Sequence, residues 1–411
     1  MGFDDILSVF RTQKRINDDI IDRLSHHWTV LILAIFAIIT STSQYAGDPI
    51  HCWCPAEFTD AFVDYAEAAC WVKNTYYIPI DDEIPLMPSQ RKDAEIQYYQ
   101  WVPIILVFQA FLFKLPNIFW KMLHKSVGIN IDKVVKLADN TAVVSPDDRE
   151  EAISNLANCV KRWLDISKQK RRHKIFKGKF NVVKWCFWKK HSGRCLIFLY
   201  LITKLLFLLN AIGQFFLLDA FMGYSFHRLG IDFFSAASKE EGFKGISRFP
   251  RTTLCDFKIR QLSNIQTWTV QCILSVNLFS ERIFVSVWFI LVFVAFFTAC
   301  GLFKWIRDTF YVKSKESFVN HYLKVHDQIH DDKDKKLLKR FLSSFLGFDG
   351  LFILRIVSQN SSEIFTGDLI LRLWKEYKHP EDDFANGDSD IDKEPKLNGM
   401  GYDPDKRADT L

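Results

Sequence analysis

Apolar and polar positions segregate sharply along this chain. Four nearly uncharged runs, Trp28–Tyr45, Trp101–Leu123, Cys195–Leu218 and Ile283–Trp305, are separated by densely charged segments. Each run is 18 to 24 residues long, matching the roughly 20 residues that cross about 30 Å of hydrocarbon as a helix. Any one of them would also suit a buried soluble helix. Four, each flanked by charge, predict transmembrane helices. Trp28, Tyr45, Trp101, Trp120 and Trp305 stand near run ends, where an aromatic belt would place them. The small residues Ser41–Ser43 give the first run some likeness to a signal peptide. Its 27-residue leader and its length exceed that pattern, so a retained helix is expected.

The segments between the runs divide the chain further. Within residues 1–27, Phe3, Ile6, Leu7 and Phe10, then Ile16, Ile20, Ile21 and Leu24, recur at helical spacing. Periodicity alone favours a helix lying on the inner membrane surface over one folded into a pore mouth. Segments 124–194 and 306–379 carry helical patterns and predict a cytosolic helical domain. Segments 46–100 and 219–282 form two external loops, the first with a strand-like YYIPI at 76–80. Residues 380–411 are polar and rich in Gly, Pro and Asp, which predicts disorder. The final Asp409-Thr410-Leu411 is a weak match to a C-terminal groove-binding motif. The expected fold class is an all-α membrane protein with four spans, a cytosolic helical domain and small disulfide-stapled loops containing some β.

Charge sets the orientation. Residues 1–27 hold four Lys and Arg, 124–194 hold 17 and 306–411 hold 17, against three bases and ten acids in 46–100 and eight bases in 219–282. The alternation places both termini and the central loop in the cytoplasm, in a multi-pass plasma-membrane protein. The cysteines agree. Of nine, Cys52, Cys54, Cys70, Cys255 and Cys272 fall on the predicted oxidising side. Four of them would make two bridges, in any of three pairings, with Cys54 left over. The sequon at Asn360 falls on the cytoplasmic side and is expected to be unused.

Catalytic chemistry is sparse. The chain has no Gly-rich phosphate loop, no G-x-S-x-G and no CxxC pair, so no enzyme, cofactor or catalytic residue is expected. A net charge of +5 is too small to suggest nucleic acid. His326-Asp327-Gln328-Ile329-His330 spaces two histidines one helical turn apart, as zinc sites do. It lacks a third ligand and lies in a charged segment, so a solvated face is expected and no metal. Lys204 interrupts the third span and must face protein or water. No span contains an acid to pair with it, which argues against a charge-coupled transporter.

The second span opens with Tyr98-Tyr99-Gln100-Trp101-Val102-Pro103, and here the chain resembles the innexins, the invertebrate gap-junction proteins. Gly47-Asp48-Pro49-Ile50, Cys52-Trp53, Phe249-Pro250-Arg251, Cys255-Asp256-Phe257, Asn210-Ala211-Ile212-Gly213-Gln214, Phe303-Lys304-Trp305 and Asp349-Gly350-Leu351-Phe352 resemble other family stretches, in order. The resemblance implies Cys52–Cys272 and Cys70–Cys255 bridges, with Cys54 a departure from the family pattern. It implies a ring of subunits, eight in number, either of this chain alone or mixed with other innexins. Such a ring would pass ions and small metabolites, dock onto a ring in the apposed membrane and contact membrane lipids. An undocked ring would act as a hemichannel. The resemblance shifts the N-terminal helix from surface anchor to pore funnel. A four-span adhesion or scaffold protein without channel activity is the alternative.

Within the second span, Tyr98, Tyr99 and Trp101 read as interfacial anchors. Pro103 falls in the first helical turn, where a missing N–H costs little. Pro116 is expected to kink the helix, and Lys114 to reach the inner interface.

Overall fold

The computed structural model describes residues 19–79, 82–126, 130–140, 146–169, 194–223, 225–238 and 249–386. Helix α1 (Ile20–Tyr45) is interrupted near its start by a π-turn at Leu24–Trp28. Strand β1 (His51–Trp53), helix α2 (Asp60–Lys73), strand β2 (Thr75–Tyr76) and strand β3 (Glu95–Ile96) follow. A single 3₁₀ turn, Tyr99–Trp101, leads into α3 (Val102–Ser126), which runs unbroken through Pro116. Then come α4 (Ile131–Asn140), α5 (Pro146–Gln169), α6 (Cys195–Met222) and α7 (Leu229–Ser238). Strands β4 (Thr252–Gln261) and β5 (Asn264–Ile273) make a hairpin before α8 (Ser275–Phe310). Helices α9 (Val312–Val325), α10 (Asp332–Asn360) and α11 (Glu363–Asn386) complete the described chain.

Five of these helices are long and apolar enough to cross a membrane. Four of them, α1, α3, α6 and α8, contain the four apolar runs and are the spans. Their apolar windows are 33 to 44% buried within the protein, so much of their surface faces outward. The fifth, α10, is 61% buried and packs on α4, α6 and α11. Its apolar residues Phe341, Leu346, Phe352, Ile353 and Ile356 are consumed by protein contacts, and it carries Asp349 and Arg355. It belongs to the helical end.

That end is one large core. Trp120, Val135, Leu164, Tyr200, Trp305, Leu323, Phe352, Leu369 and Trp374 join α3–α6 and α8–α11. Trp120 and Trp305, expected in an aromatic belt, are only 2% and 3% exposed. They pack edge-on against Tyr200, with ring centroids 5.1 and 4.8 Å away. Burial against protein wins because four helices converge here. Trp28 and Trp101, at 53% and 55%, do face outward.

The opposite end holds a five-stranded antiparallel sheet in the order β1-β5-β4-β2-β3. Its centre is the β4–β5 hairpin, two ten-residue strands whose alternation buries Thr253, Cys255 and Phe257 opposite Cys272, Val270 and Trp268. Of the strand expected at 76–80, only Tyr76 among the described residues lies in a strand, the two-residue β2, while α2 occupies most of the loop ahead of it.

Candidate functional site

The sheet end is small, and covalent links hold it. Cys52–Cys272 joins directly opposed residues of β1 and β5, and Cys70–Cys255 ties α2 to β4. This is the pairing the family resemblance implies. The Sγ atoms of Cys52, Cys70 and Cys272 lie within 4.8 Å of one another, so the two bridges are neighbours under one sheet face. Cys54 is free and half-buried. Burial, and then the nearby Glu67, push its thiol above its usual range.

Asp256 knits the outer face. Its carboxylate accepts hydrogen bonds from Tyr76 at 3.0 Å, Thr269 at 2.7 Å and Arg91 at 2.7 Å. Lys73 donates to the Asp256 backbone carbonyl. Burial works to raise this carboxyl, but the three donors outweigh it and hold it below the ordinary value. Tyr76 is pushed up to about 12 by burial and by the adjacent Asp256. Three other chain segments therefore converge on this carboxylate, and a fourth on its backbone carbonyl.

The YYQWVP stretch is the joint between this end and the spans. Tyr99 is fully buried and Tyr98 8% exposed, so neither serves as an interfacial anchor. Tyr98 packs edge-on against Phe249, and Tyr99 packs at a tilt against Trp71. The Gln100 amide donates to the Trp71 carbonyl and to Asn74 Oδ1, closing the C-terminal end of α2. The Tyr99 carbonyl accepts from Gln44 at 2.7 Å, tying α1 to the same point. Trp101 alone of the three aromatics faces outward; Val102 is buried and Pro103 occupies the first turn of α3. Packing against two loops claimed the tyrosines, which a linear reading assigned to lipid.

At the other end of the spans lies a buried ionic knot that sequence reasoning missed. Lys204 is fully buried, and its ammonium lies 3.0 Å from Asp19 and 2.8 Å from Asp22. The acids come from the chain just ahead of the first apolar run, not from a span. Trp305 donates its indole N–H to Asp19 at 3.0 Å and Tyr200 its hydroxyl to Asp22 at 2.8 Å. The knot therefore fastens the start of α1 to α6 and α8. Gly301 supports the approach: a Cβ there would meet Ile21 Cδ1 at 2.9 Å. Lys114 also turns inward, toward the His26 carbonyl 3.5 Å away, in the π-turn where backbone pairing is looser.

Phe3, Ile6, Leu7 and Phe10, expected to form the funnel, lie outside the described residues. His326 and His330 do not share a helix. Helix α9 ends at Val325, and Asp327 has a left-handed φ of 54°. His326 instead lies 3.8 Å from Asp368.

Stapled loops mounted on four outward-facing apolar helices, with a separate helical domain beyond them, define a multi-span membrane protein built to present a rigid loop end. The innexin family model matches residues 18–377, and the chain belongs to that family. It is 35% identical over 366 residues to Innexin unc-9 of Caenorhabditis elegans, covering 89% of this chain and 93% of the relative. It is 32% identical over 385 residues to Innexin-19 of Caenorhabditis briggsae, covering 89% and 87%. With Innexin-3 of Caenorhabditis elegans it shares 33% over 391 residues, covering 92% and 89%. The chain is a gap-junction channel subunit, and its family is one of channel proteins rather than enzymes.

Proposed function

We propose that this subunit assembles into a ring of eight, of one kind or mixed with other innexins, and docks its sheet end onto a ring in an apposed membrane. The observation that carries this is the covalently stapled sheet end with exposed apolar residues at its rim. Leu262 at the hairpin tip is 97% exposed with φ 53°, Leu86 is 93% exposed and Trp53 76%. Rigid loops bind without first being ordered, which lowers the entropic cost of docking.

In this reading the sheet end is extracellular and the helical end forms a cytoplasmic collar, with both termini on the collar side, as the basic segments 124–194 and 306–411 favour. The ring passes ions and small metabolites, and the acid-rich first loop favours cations in the vestibule. Undocked, it serves as a hemichannel. Phe3, Ile6, Leu7 and Phe10 line a funnel at the cytoplasmic mouth, and the Asp19–Lys204 knot sets the direction in which that segment leaves α1.

Paired-cell recording tests the central claim. Junctional conductance is expected between cells that both express the chain; cell adhesion with no conductance would overturn it. Imaging the purified assembly down its axis counts the subunits.

A further inference from the structure

Where α6 and α8 reach the helical end, positive charge outruns its compensation. Arg194 immediately precedes α6, Arg307 lies in the last turn of α8, and Lys315 lies in the first turn of α9. The Lys315 ammonium and the Arg194 guanidinium both lie over the Phe348 ring, 3.6 and 4.3 Å from its centroid. Asp308 serves Arg355 at 3.0 Å and Arg307 at 3.1 Å. The Asp349 carboxylate accepts from the backbone N–H of Ile197 at 3.1 Å, at the start of α6. Glu316 pairs with Lys339. Among the described residues no carboxylate pairs with Arg194 or Lys315.

The second observation is Arg355. It is 9% exposed, and its Nε–H has no acceptor among the described residues, although its two Nη groups are used by Asp308 and Ser314. With Asp308, Lys315, Phe348, Ile197 and Trp305 it lines a narrow cleft, in which Asp308 is the only acid among the described residues. Burial, then the neighbouring Arg194 and Arg355 charges, pull the Lys315 ammonium below its usual range. Asp308 compensates Arg355, but the two cations resting on the aromatic face have no carboxylate among the described residues, and that surplus is the chemistry of an anion site.

We propose that Arg194, Lys315 and Arg355 bind the phosphate of an anionic lipid headgroup at the mouth of this cleft. The level is the reason for choosing a lipid over a soluble phosphate: the cluster sits where two spans emerge, the depth of headgroups in the basic-side leaflet. The outward apolar flanks of those spans would receive the acyl chains. Such a lipid would clamp α9 and α10 to the base of α6 and α8.

The test uses the purified full-length assembly in phosphatidylcholine nanodiscs, titrated with dioctanoyl phosphatidylinositol bisphosphate, its phosphatidylcholine counterpart, inositol trisphosphate and inorganic phosphate. The anionic lipid is expected to bind at least about tenfold more tightly than the phosphatidylcholine, and the double variant Arg194→Gln/Lys315→Gln to lose about that factor. Lys315→Arg should retain it. An unchanged preference in an assembled double variant overturns the site. Inositol trisphosphate binding as tightly as the lipid overturns the lipid assignment in favour of a soluble phosphate. Should the double variant not assemble, a photoreactive anionic lipid on the unaltered protein decides. Crosslinks are expected within residues 194–197, 307–318 and 348–355, and crosslinks confined elsewhere refute the proposal.

Discussion

The two ends of the molecule are held by different physics. At the sheet end, two adjacent disulfides and one carboxylate with three donors organise strands as short as two and three residues. At the helical end, three spans and five further helices share one apolar core, and all described cysteines there are free. A small loop unit buries too little apolar surface to order itself, so covalent links make up the difference. A broad helical core meets no such shortage. The ends should therefore fail independently, and each perturbation below should damage one and spare the other.

The largest effects belong to the helical end. Trp374 is fully buried against Phe341, and Trp374→Ala should cost roughly 3–5 kcal/mol. Thermal unfolding should show it, while non-reducing peptide mapping finds both disulfides intact. Lys204→Met should cost a similar amount, roughly 3–5 kcal/mol, because Asp19 and Asp22 are left buried without a counter-charge. Adding Asp19→Asn and Asp22→Asn should restore much of the stability. No restoration would mean the lysine acts by packing alone.

Next comes the staple. Cys70→Ser should cost about 2–4 kcal/mol at the sheet end and abolish junctional coupling, with assembly of the ring preserved. Normal conductance in that variant would break the link between rigid loops and docking. Asp256→Asn is milder, about 1–3 kcal/mol. Its pH dependence has a definite sign. The folded carboxyl is held below 3.8, so the folded state binds fewer protons than the unfolded one in acid. The stabilisation is complete above that value and drains away below it, as pH falls through the depressed pKa of the folded carboxyl. Melting curves across this range should lose that acid limb in Asp256→Asn.

Pro116→Ala should change stability least, since α3 already runs through this position. The expected effect is on gating: a shifted voltage response in paired-cell recording. Identical voltage and pH responses would remove Pro116 from any gating role.

The spans were legible because apolar length is a local property. The stapling cysteines were visible as a cluster on one side of the charge alternation. The β4–β5 hairpin also left a local trace, with Thr253, Cys255 and Phe257 alternating in one run and Trp268, Val270 and Cys272 in the next. Helix α2 was harder to see, because its buried positions are Ala66 and Cys70 rather than large apolar residues. Lys204 announced that it needed a partner. Nothing local could name acids 182 and 185 positions away, since Asp22 and Asp19 look like ordinary surface charges in the linear chain.

The amino-acid sequence thus determined which segments enter the bilayer, which cysteines can be oxidised and which family the chain resembles, because these depend on composition over short windows. Tertiary structure decided how side chains of the same type are used. Tyr99 and Trp120 went to protein cores while Trp101 and Trp28 stayed outward, and α10 was claimed by its neighbours despite being apolar enough to span. Solvent exposure is a property of the assembled surface. A residue's own chemistry permits lipid or core, and only the elements packed around it choose.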